Sequence, residues 1–91
     1  MRMQFGVVWH RADWDLPATR VETWEDNGST QETLISDPVL VCDAYGNMSI
    51  AQYEEDADIG LRGFVDPHDG AVIHGVTHWR SLPDPPGGRR A

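Results

Sequence analysis

The apolar residues of this chain fall in short segments separated by polar turns, which is the pattern of an antiparallel β-sheet. β-Branched and aromatic residues fill 3–10, and a hairpin pattern covers 38–54. Residues 61–65 and 71–79 supply two further strands around a D-P-H-D-G turn at 66–70. We therefore expect a mostly β, single-domain antiparallel sheet of about five strands with at most one short helix, which leaves an α+β fold as the alternative.

Residues 38–54 give the clearest hairpin. The first strand is apolar at every position from 39 to 42, so both of its faces are expected to be covered. Gly46 and Asn47 are expected to supply the positive φ of the turn. The run 54–58 has four carboxylates in five positions, which predicts a solvated loop.

Residues 18–37 fit two structures. Thr19 as an N-cap, with Glu22 three residues later, would begin one or two helical turns. Alternatively, a strand leads into the Asn27-Gly28 turn and returns through 30–36, which makes a hairpin. We favour the hairpin.

In the last segment, 71–79, Gly75 is expected to mark a bulge.

Two tryptophan motifs lie near the ends of the chain. Trp9 is followed seven residues later by Leu16-Pro17, and 76–86 reads V-T-H-W-R-S-L-P-D-P-P. With V-L-V at 39–41 between them, these pieces resemble a phage and prophage family described as domain of unknown function 551. Its members open W-I-x-V-x-x-x-L-P and close T-H-W-x-x-L-P-x-P-P.

The resemblance covers most of the chain and implies a phage or prophage accessory protein, but it implies no activity. Its structural residues are Trp9, Leu16, Pro17, Thr77, His78, Trp79, Leu82 and Pro83. We expect 1–86 to form one β-rich domain and 87–91 a disordered tail. The Trp9 and Trp79 segments should lie together with both rings buried, whereas Trp14 and Trp24 should be partly exposed.

The balance of acidic and basic residues indicates which classes of partner the chain favours. The net charge is −8, and every cation is an arginine. Within 1–86, five arginines face fifteen acidic residues, so direct binding to a phosphate backbone is disfavoured. The same charge favours docking on a basic protein surface, although it also serves solubility. With neither a signal peptide nor a stretch of about 18 apolar residues, we expect a cytoplasmic protein without membrane contact.

The sequence gives little support for catalysis or metal binding by this chain. Cys42 is the single cysteine and lies in a strand pattern, which indicates a buried, inert thiol. His68, His74 and His78 fit no zinc spacing: His74 and His78 would lie about 13 Å apart on a regular strand. We expect His78 to bind backbone instead. We predict no catalytic residues, no metal, no cofactor and no enzyme activity.

The leading hypothesis is an acidic accessory protein that binds and inhibits or modulates a basic host protein, such as a nucleic-acid-handling or defence complex. Carboxylates would steer the partner and partly mimic phosphate, and a tryptophan would receive an arginine by cation–π contact. The candidate binding residues are Asp13, Trp14, Asp15, Glu22, Trp24, Glu25, Asp26, Glu54, Glu55, Asp56 and Asp58. Trp14, between two aspartates, could instead cover Leu16.

Two alternatives remain open. A module that sequesters a small nucleotide signal would need Arg62 or Arg80 beside an aromatic wall such as Tyr53 or Trp79. A minor phage structural protein would need stable oligomers, and the sequence does not determine the oligomeric state.

Overall fold

The computed structural model describes residues 8–83 and consists of antiparallel strands, with no helix in that range. The strands are β1 (His10–Arg11), β2 (Thr19–Asp26), β3 (Ser29–Ser36), β4 (Val39–Asp43), β5 (Met48–Asp56), β6 (Leu61–Val65) and β7 (Val76–Ser81). The sheet order is β1-β7-β4-β5-β3-β2, and β6 pairs with β5 off this path. The expected antiparallel β fold is confirmed, with seven strands rather than about five.

The long strand β5 joins two halves of the sheet. Its first half, 48–51, pairs with β4, while Glu54 and Glu55 pair with β3. On its opposite edge, 52–56 pairs with β6. The sheet therefore curls around β5, because successive parts of one strand have different neighbours.

Ser36 marks the bend between β3 and β4. Residues 36–38 face two residues of β5, so one extra residue is accommodated there, as in a β-bulge. The buried Ser36 hydroxyl accepts the Tyr53 N–H at 2.9 Å and donates to the carbonyl oxygen of Asp37 at 2.8 Å. Gln52 adds a bond from its side-chain amide to the Ser36 carbonyl. These bonds satisfy backbone groups that the ladder leaves unpaired.

The core lies on one face of the curled sheet. Its buried members are Val39, Val41, Ala51, Tyr53, Phe64 and Trp79. They share a face because they are cross-strand partners or lie two apart on a strand. Ala12 and Leu16 from one loop and Ile73 from another pack over this layer. On the other face, Leu40 and Cys42 are half-buried, so the expected cover of β4 on both faces is complete on one face and partial on the other.

The two ends of the described chain meet as expected. β1 pairs with β7, which places His10 opposite Trp79 with the two rings stacked at 4.4 Å between centroids. Trp79 is 7% exposed. Trp9 is half-buried outside the core cluster, with the Arg80 guanidinium 5.9 Å from its ring. The prediction of a shared core is thus confirmed for Trp79 but not for Trp9.

Residues 18–37 form the favoured hairpin rather than a helix. All eight residue pairs of β2 and β3 are in register, and the two-residue turn has positive φ at Asn27 (52°) and Gly28 (81°). Its connection to β5 is confined to Leu34 and Ile35. The outer part of this hairpin is therefore a two-stranded arm with every β2 residue exposed.

Other expectations for the turns and strand limits need correction. Gly46 has positive φ (86°), but Asn47 does not. Asn47 instead donates its backbone and side-chain N–H groups to the Asp43 carboxylate. The predicted solvated loop at 54–58 is wrong for 54–56, because β5 continues to Asp56, which is 9% exposed, whereas 57 and 58 form an exposed turn as expected. Sheet neighbours of β5 hold 54–56 extended despite their charge.

The last strand also differs from the predicted 71–79. It begins at Val76 and runs to Ser81, while Val72 makes an isolated bridge to Val65. Gly75 has a φ of 78° immediately before β7. The pairing of β4 with β7 shifts by one residue between Cys42 and Asp43, which face His78 and Val76. The irregularity of the ladder therefore lies just after Gly75 rather than at it. The turn at 66–70 is confirmed, but the predicted tail at 87–91 and most of the strand 3–10 lie outside the described residues.

Candidate functional site

The acidic residues around Trp14 already contact neighbouring side chains. Arg11 donates to both Asp13 carboxylate oxygens, at 3.1 and 2.7 Å, and its guanidinium lowers the pKa of Asp13. The Asp15 carboxylate lies 3.2 Å from Nδ1 of His10. Both acids are therefore less available to an external cation than the sequence suggested.

Trp14 is 82% exposed, and the Arg11 guanidinium lies 5.0 Å from its ring centroid. Its ring and Leu16 line the same groove, but an indole this exposed does not bury Leu16. Since Arg11 already makes the cation–π contact expected of a partner, an incoming arginine would have to displace it.

The register of the arm separates the acids of β2 onto two faces. Arg20, Glu22, Trp24 and Asp26 alternate along one face, whereas Glu25 lies on the other. Trp24 is 47% exposed, and its indole N–H points to the Thr33 hydroxyl oxygen at 3.4 Å. The ring is thus held over the arm with one surface open.

The acids of β5 are divided in the same way. Glu54 and Asp56 lie on one face and Glu55 on the other. Burial raises the pKa of Glu54, and the nearby charges of Asp56 and Glu22 raise it further. The charge of Glu22, which is distant in sequence, therefore reaches Glu54 through space.

The fold therefore builds one acidic surface out of two of the three predicted clusters. We call this surface, made of Glu22, Trp24, Asp26, Glu54 and Asp56, the acidic face. Within 8–83, Glu54 and Asp56 form no ion pair. Asp58 lies in the adjoining turn, where its N–H binds the Asp56 carboxylate at 3.0 Å.

Arg20 is the cation on this face, and sequence reasoning missed it. It contacts Glu22 at 3.1 Å and Asp37 at 2.7 Å. The alternation of Arg20 with Glu22 along a strand is a signal that could have identified the first contact. The second depends on the hairpin register, which brings Asp37 back beside Arg20.

Glu55 belongs to a different, internal network. The Tyr53 hydroxyl donates to Glu55 at 2.7 Å, and Arg62 Nε donates to the same hydroxyl at 3.4 Å. Burial, and then the bond to Glu55, raise the pKa of Tyr53. The hydrogen bond to Tyr53 likewise raises the pKa of Arg62. Glu55 is therefore bound internally rather than presented to a partner.

An open groove of about 540 Å³ lies beside this network. It is lined by Ala12, Asp13, Trp14, Leu16, Tyr53, Arg62, Gly63, Phe64 and Val76. Arg62 and Tyr53, two of the residues proposed for ligand binding, meet here. Arg80 and Trp79 do not, since Arg80 lies against Trp9 and Trp79 is in the core.

The described residues offer little to metal or nucleophilic chemistry. No group of three His, Cys, Asp or Glu side chains in 8–83 is arranged to hold a metal ion. Cys42 is half-buried rather than buried, with its Sγ 3.4 Å from the Asp43 carbonyl oxygen. His78 shares a hydrogen bond with the Thr77 hydroxyl at 2.9 Å rather than with backbone.

Of the other residues in the two tryptophan motifs, Leu82 is half-buried, Pro17 is buried and Pro83 is exposed.

Comparisons with protein-family models, curated proteins and solved structures found no match to this chain. The resemblance to the phage family thus stays a prediction from the motifs alone. No helix in 8–83 has the length and apolar character needed to cross a bilayer.

Proposed function

We propose that this chain is a non-enzymatic acidic accessory protein that binds a basic protein through the acidic face. The observation that carries the proposal is the placement of Glu22, Glu54 and Asp56 on one face of the sheet, where burial first, and then the charges of Asp56 and Glu22, raise the pKa of Glu54. Like charges gathered on one face of a sheet repel one another. An external cation would remove this repulsion on binding.

Trp24 supplies the second part of the surface. Its indole lies two residues from Glu22 on the same face and keeps about half of its surface open. Aromatic side chains are frequent binding hot spots, and a ring beside carboxylates accepts an arginine by combined cation–π and ionic contact. The proposal therefore concentrates on Trp24 rather than on Trp14, whose ring already faces Arg11.

The class of target follows from the charge. A surface that attracts cations and repels phosphate fits a protein that itself binds nucleic acid. With the phage-like motifs, we propose a host nucleic-acid-handling or defence protein as the partner, approached in the host cytoplasm. The exposed carboxylates of Glu22 and Asp26, with the half-buried Glu54, would occupy part of its phosphate-binding surface.

A tagged pull-down from nuclease-treated bacterial lysate tests this proposal when three forms run in parallel. The parent chain is compared with Glu22→Gln/Glu54→Gln and with the control Asp66→Asn/Asp69→Asn. The control removes two charges from the 66–70 turn and keeps side-chain oxygens for the bonds to His68 and Ala71. We expect a basic protein with the parent and the control but not with the acidic-face variant.

The binding kinetics of the purified chain and its captured partner then provide a second test. Association should slow steeply as salt rises, because exposed charges are screened beyond about 8 Å at 0.15 M. Neutralising Glu22 and Glu54 should lower the on-rate, and Trp24→Ala should raise the off-rate. A partner retained equally by all three forms, with association independent of salt, would refute the proposal.

The groove supports a second candidate, a site for a small anionic ligand with a planar ring. Arg62 offers a guanidinium, and the exposed Trp14 ring offers a stacking surface beside it. Because Glu55 already lies 3.7 Å from Arg62 Nε, a phosphate would have to compete with that carboxylate. A titration with nucleotides, followed by Trp fluorescence in the parent and in Arg62→Gln, tests this candidate. A response equal in the two proteins would exclude it.

A further inference from the structure

Strand β2 forms an open edge of the sheet. Its eight residues are all exposed, and among the described strands it pairs with β3 alone. The opposite side of β2 therefore presents backbone N–H and C=O groups without a strand partner in 8–83. Such a row is a template for an added strand.

The turn determines which backbone groups face outward. In a two-residue hairpin the residues that flank the turn, here Asp26 and Ser29, form a hydrogen-bonded pair. Hydrogen-bonded and non-hydrogen-bonded pairs then alternate along the ladder. The N–H and C=O groups of Val21, Thr23 and Glu25 consequently point away from β3, toward the open edge.

This edge lacks most of the features that block strand addition. The eight pairs are continuous in register, so no bulge twists the edge away, and β2 has neither proline nor lysine. Its protection is charge, from Glu22, Glu25 and Asp26. Acidic residues oppose a second acidic strand but not a basic one.

We propose that β2 accepts an extended cationic segment of the partner as an added antiparallel strand. This inference rests on the proposed function and assigns its mode of recognition. Backbone hydrogen bonds to the open edge would supply affinity, and alternate side chains would supply specificity.

The two faces of β2 specify the added segment. On the acidic face its side chains would lie opposite Glu22, Trp24 and Asp26, which fits arginine. On the other face they would lie beside Val21, which is 55% exposed and stands opposite Leu34, and this fits a β-branched apolar residue. The segment that matches both faces alternates arginine with valine or isoleucine.

A second copy of this chain fits the edge poorly. Two β2 strands would bring six carboxylates and two arginines into one pair of strands. Each Arg20 is also already bound to Glu22 and Asp37. Like-charge repulsion therefore disfavours self-pairing.

The test uses a blocked octapeptide of four Arg-Val repeats and the full chain labelled with ¹⁵N. On binding, the amide protons of Val21, Thr23 and Glu25 should exchange at least about tenfold more slowly, whereas those of Glu22 and Trp24 should change little. A Glu-Val octapeptide, identical in backbone but opposite in charge, should not bind. Slow exchange at the three outward amides before peptide is added would mean that the edge is already occupied, and would overturn the proposal.

Backbone methylation separates strand pairing from charge attraction. In an antiparallel alignment the valine N–H groups of the peptide face β2 and the arginine N–H groups face away. N-methylation of the valines should weaken binding roughly tenfold or more, since each lost hydrogen bond counts. N-methylation of the arginines is the matched control and should have little effect.

The outcomes also distinguish this inference from the function on which it rests. Salt-sensitive binding that is equal for both methylated peptides, without protection at the three amides, would refute strand addition and leave the acidic face as a binding surface. Absence of binding by the unmethylated Arg-Val peptide would refute strand addition as well. The pull-down with the acidic-face variant would then decide on the proposed function separately.

Discussion

Trp79 donates its indole N–H to the backbone carbonyl oxygen of Asp15 at 2.7 Å, across 64 residues of sequence. This bond joins the closing tryptophan motif to the loop inside the opening one, between Trp9 and Leu16. Together with the stacking of His10 on the same ring, it explains how two motifs at opposite ends of the chain make one structural unit.

The first prediction separates the contribution of the Trp79 ring to stability from that of its N–H. Trp79→Ala should lower the free energy of unfolding by roughly 3–5 kcal/mol, because it empties a large core position. Trp79→Phe keeps an aromatic ring and should cost about 1 kcal/mol for the lost bond to Asp15. Urea denaturation of both variants measures the difference. A Trp79→Ala protein as stable as the parent would contradict the structural role of the motif.

The second prediction concerns the buried hydroxyl at the bend of the sheet. Ser36→Ala leaves the Tyr53 N–H without its acceptor and should destabilise the protein by about 1–3 kcal/mol. Ser49→Ala removes a hydroxyl from an exposed strand position and serves as the control. If thermal unfolding shows equal changes in the two variants, the Ser36 bond does not hold the bend.

The third prediction follows from the raised pKa of Glu54. A carboxyl whose pKa is higher in the folded than in the unfolded state binds its proton more tightly in the folded state. It therefore makes the protein less stable as pH rises through the glutamate range near 4 and the proton is lost. Glu54→Gln should therefore be more stable than the parent at pH 7, because an uncharged amide avoids first the burial of a charge and then the repulsion by Asp56 and Glu22. The difference should vanish near pH 3. Chemical denaturation at both pH values measures it.

Glu25→Gln is the control for this experiment, because it removes the same charge from the opposite face of β2. We expect it to leave stability almost unchanged at both pH values. A gain equal to that of Glu54→Gln would mean that total charge is responsible, rather than the burial of Glu54 and its crowding with Asp56 and Glu22.

The fourth prediction concerns the arm. Asn27→Ala places an alanine at a φ of 52°, which should cost about 1–2 kcal/mol, while Asn27→Gly should be tolerated. The loss should appear first in the arm, because its outer part is held by β2–β3 pairing alone among the described strands. Amide exchange of 20–33 measures it. Equal exchange in the alanine and glycine variants would refute a role for the positive φ.

The sequence by itself determined the local structure. Alternating apolar residues, Asn27-Gly28 and Gly46 specify strands and turns through local backbone sterics, which act within a few residues. The hairpin over 18–37 was predictable for this reason, as were the strand at 61–65 and the turn at 66–70. The sequence also indicated that Trp79 is structural, because an aromatic within an apolar segment seeks a core.

Only the tertiary structure decided which acids act together. The charge of Glu22 reaches Glu54 because only β3 separates β2 from β5, and strand order is fixed by contacts distant in sequence. The acidic run at 54–58 looked like a solvated loop because its charge opposes burial, yet sheet neighbours of β5 hold 54–56 extended. Asp13, Asp15 and Glu55 carry the same charge as Glu54, but pairing with Arg11, His10 and the Tyr53–Arg62 network separates them from it. Charge is a property of the residue, whereas its availability is set by the neighbours that the fold supplies.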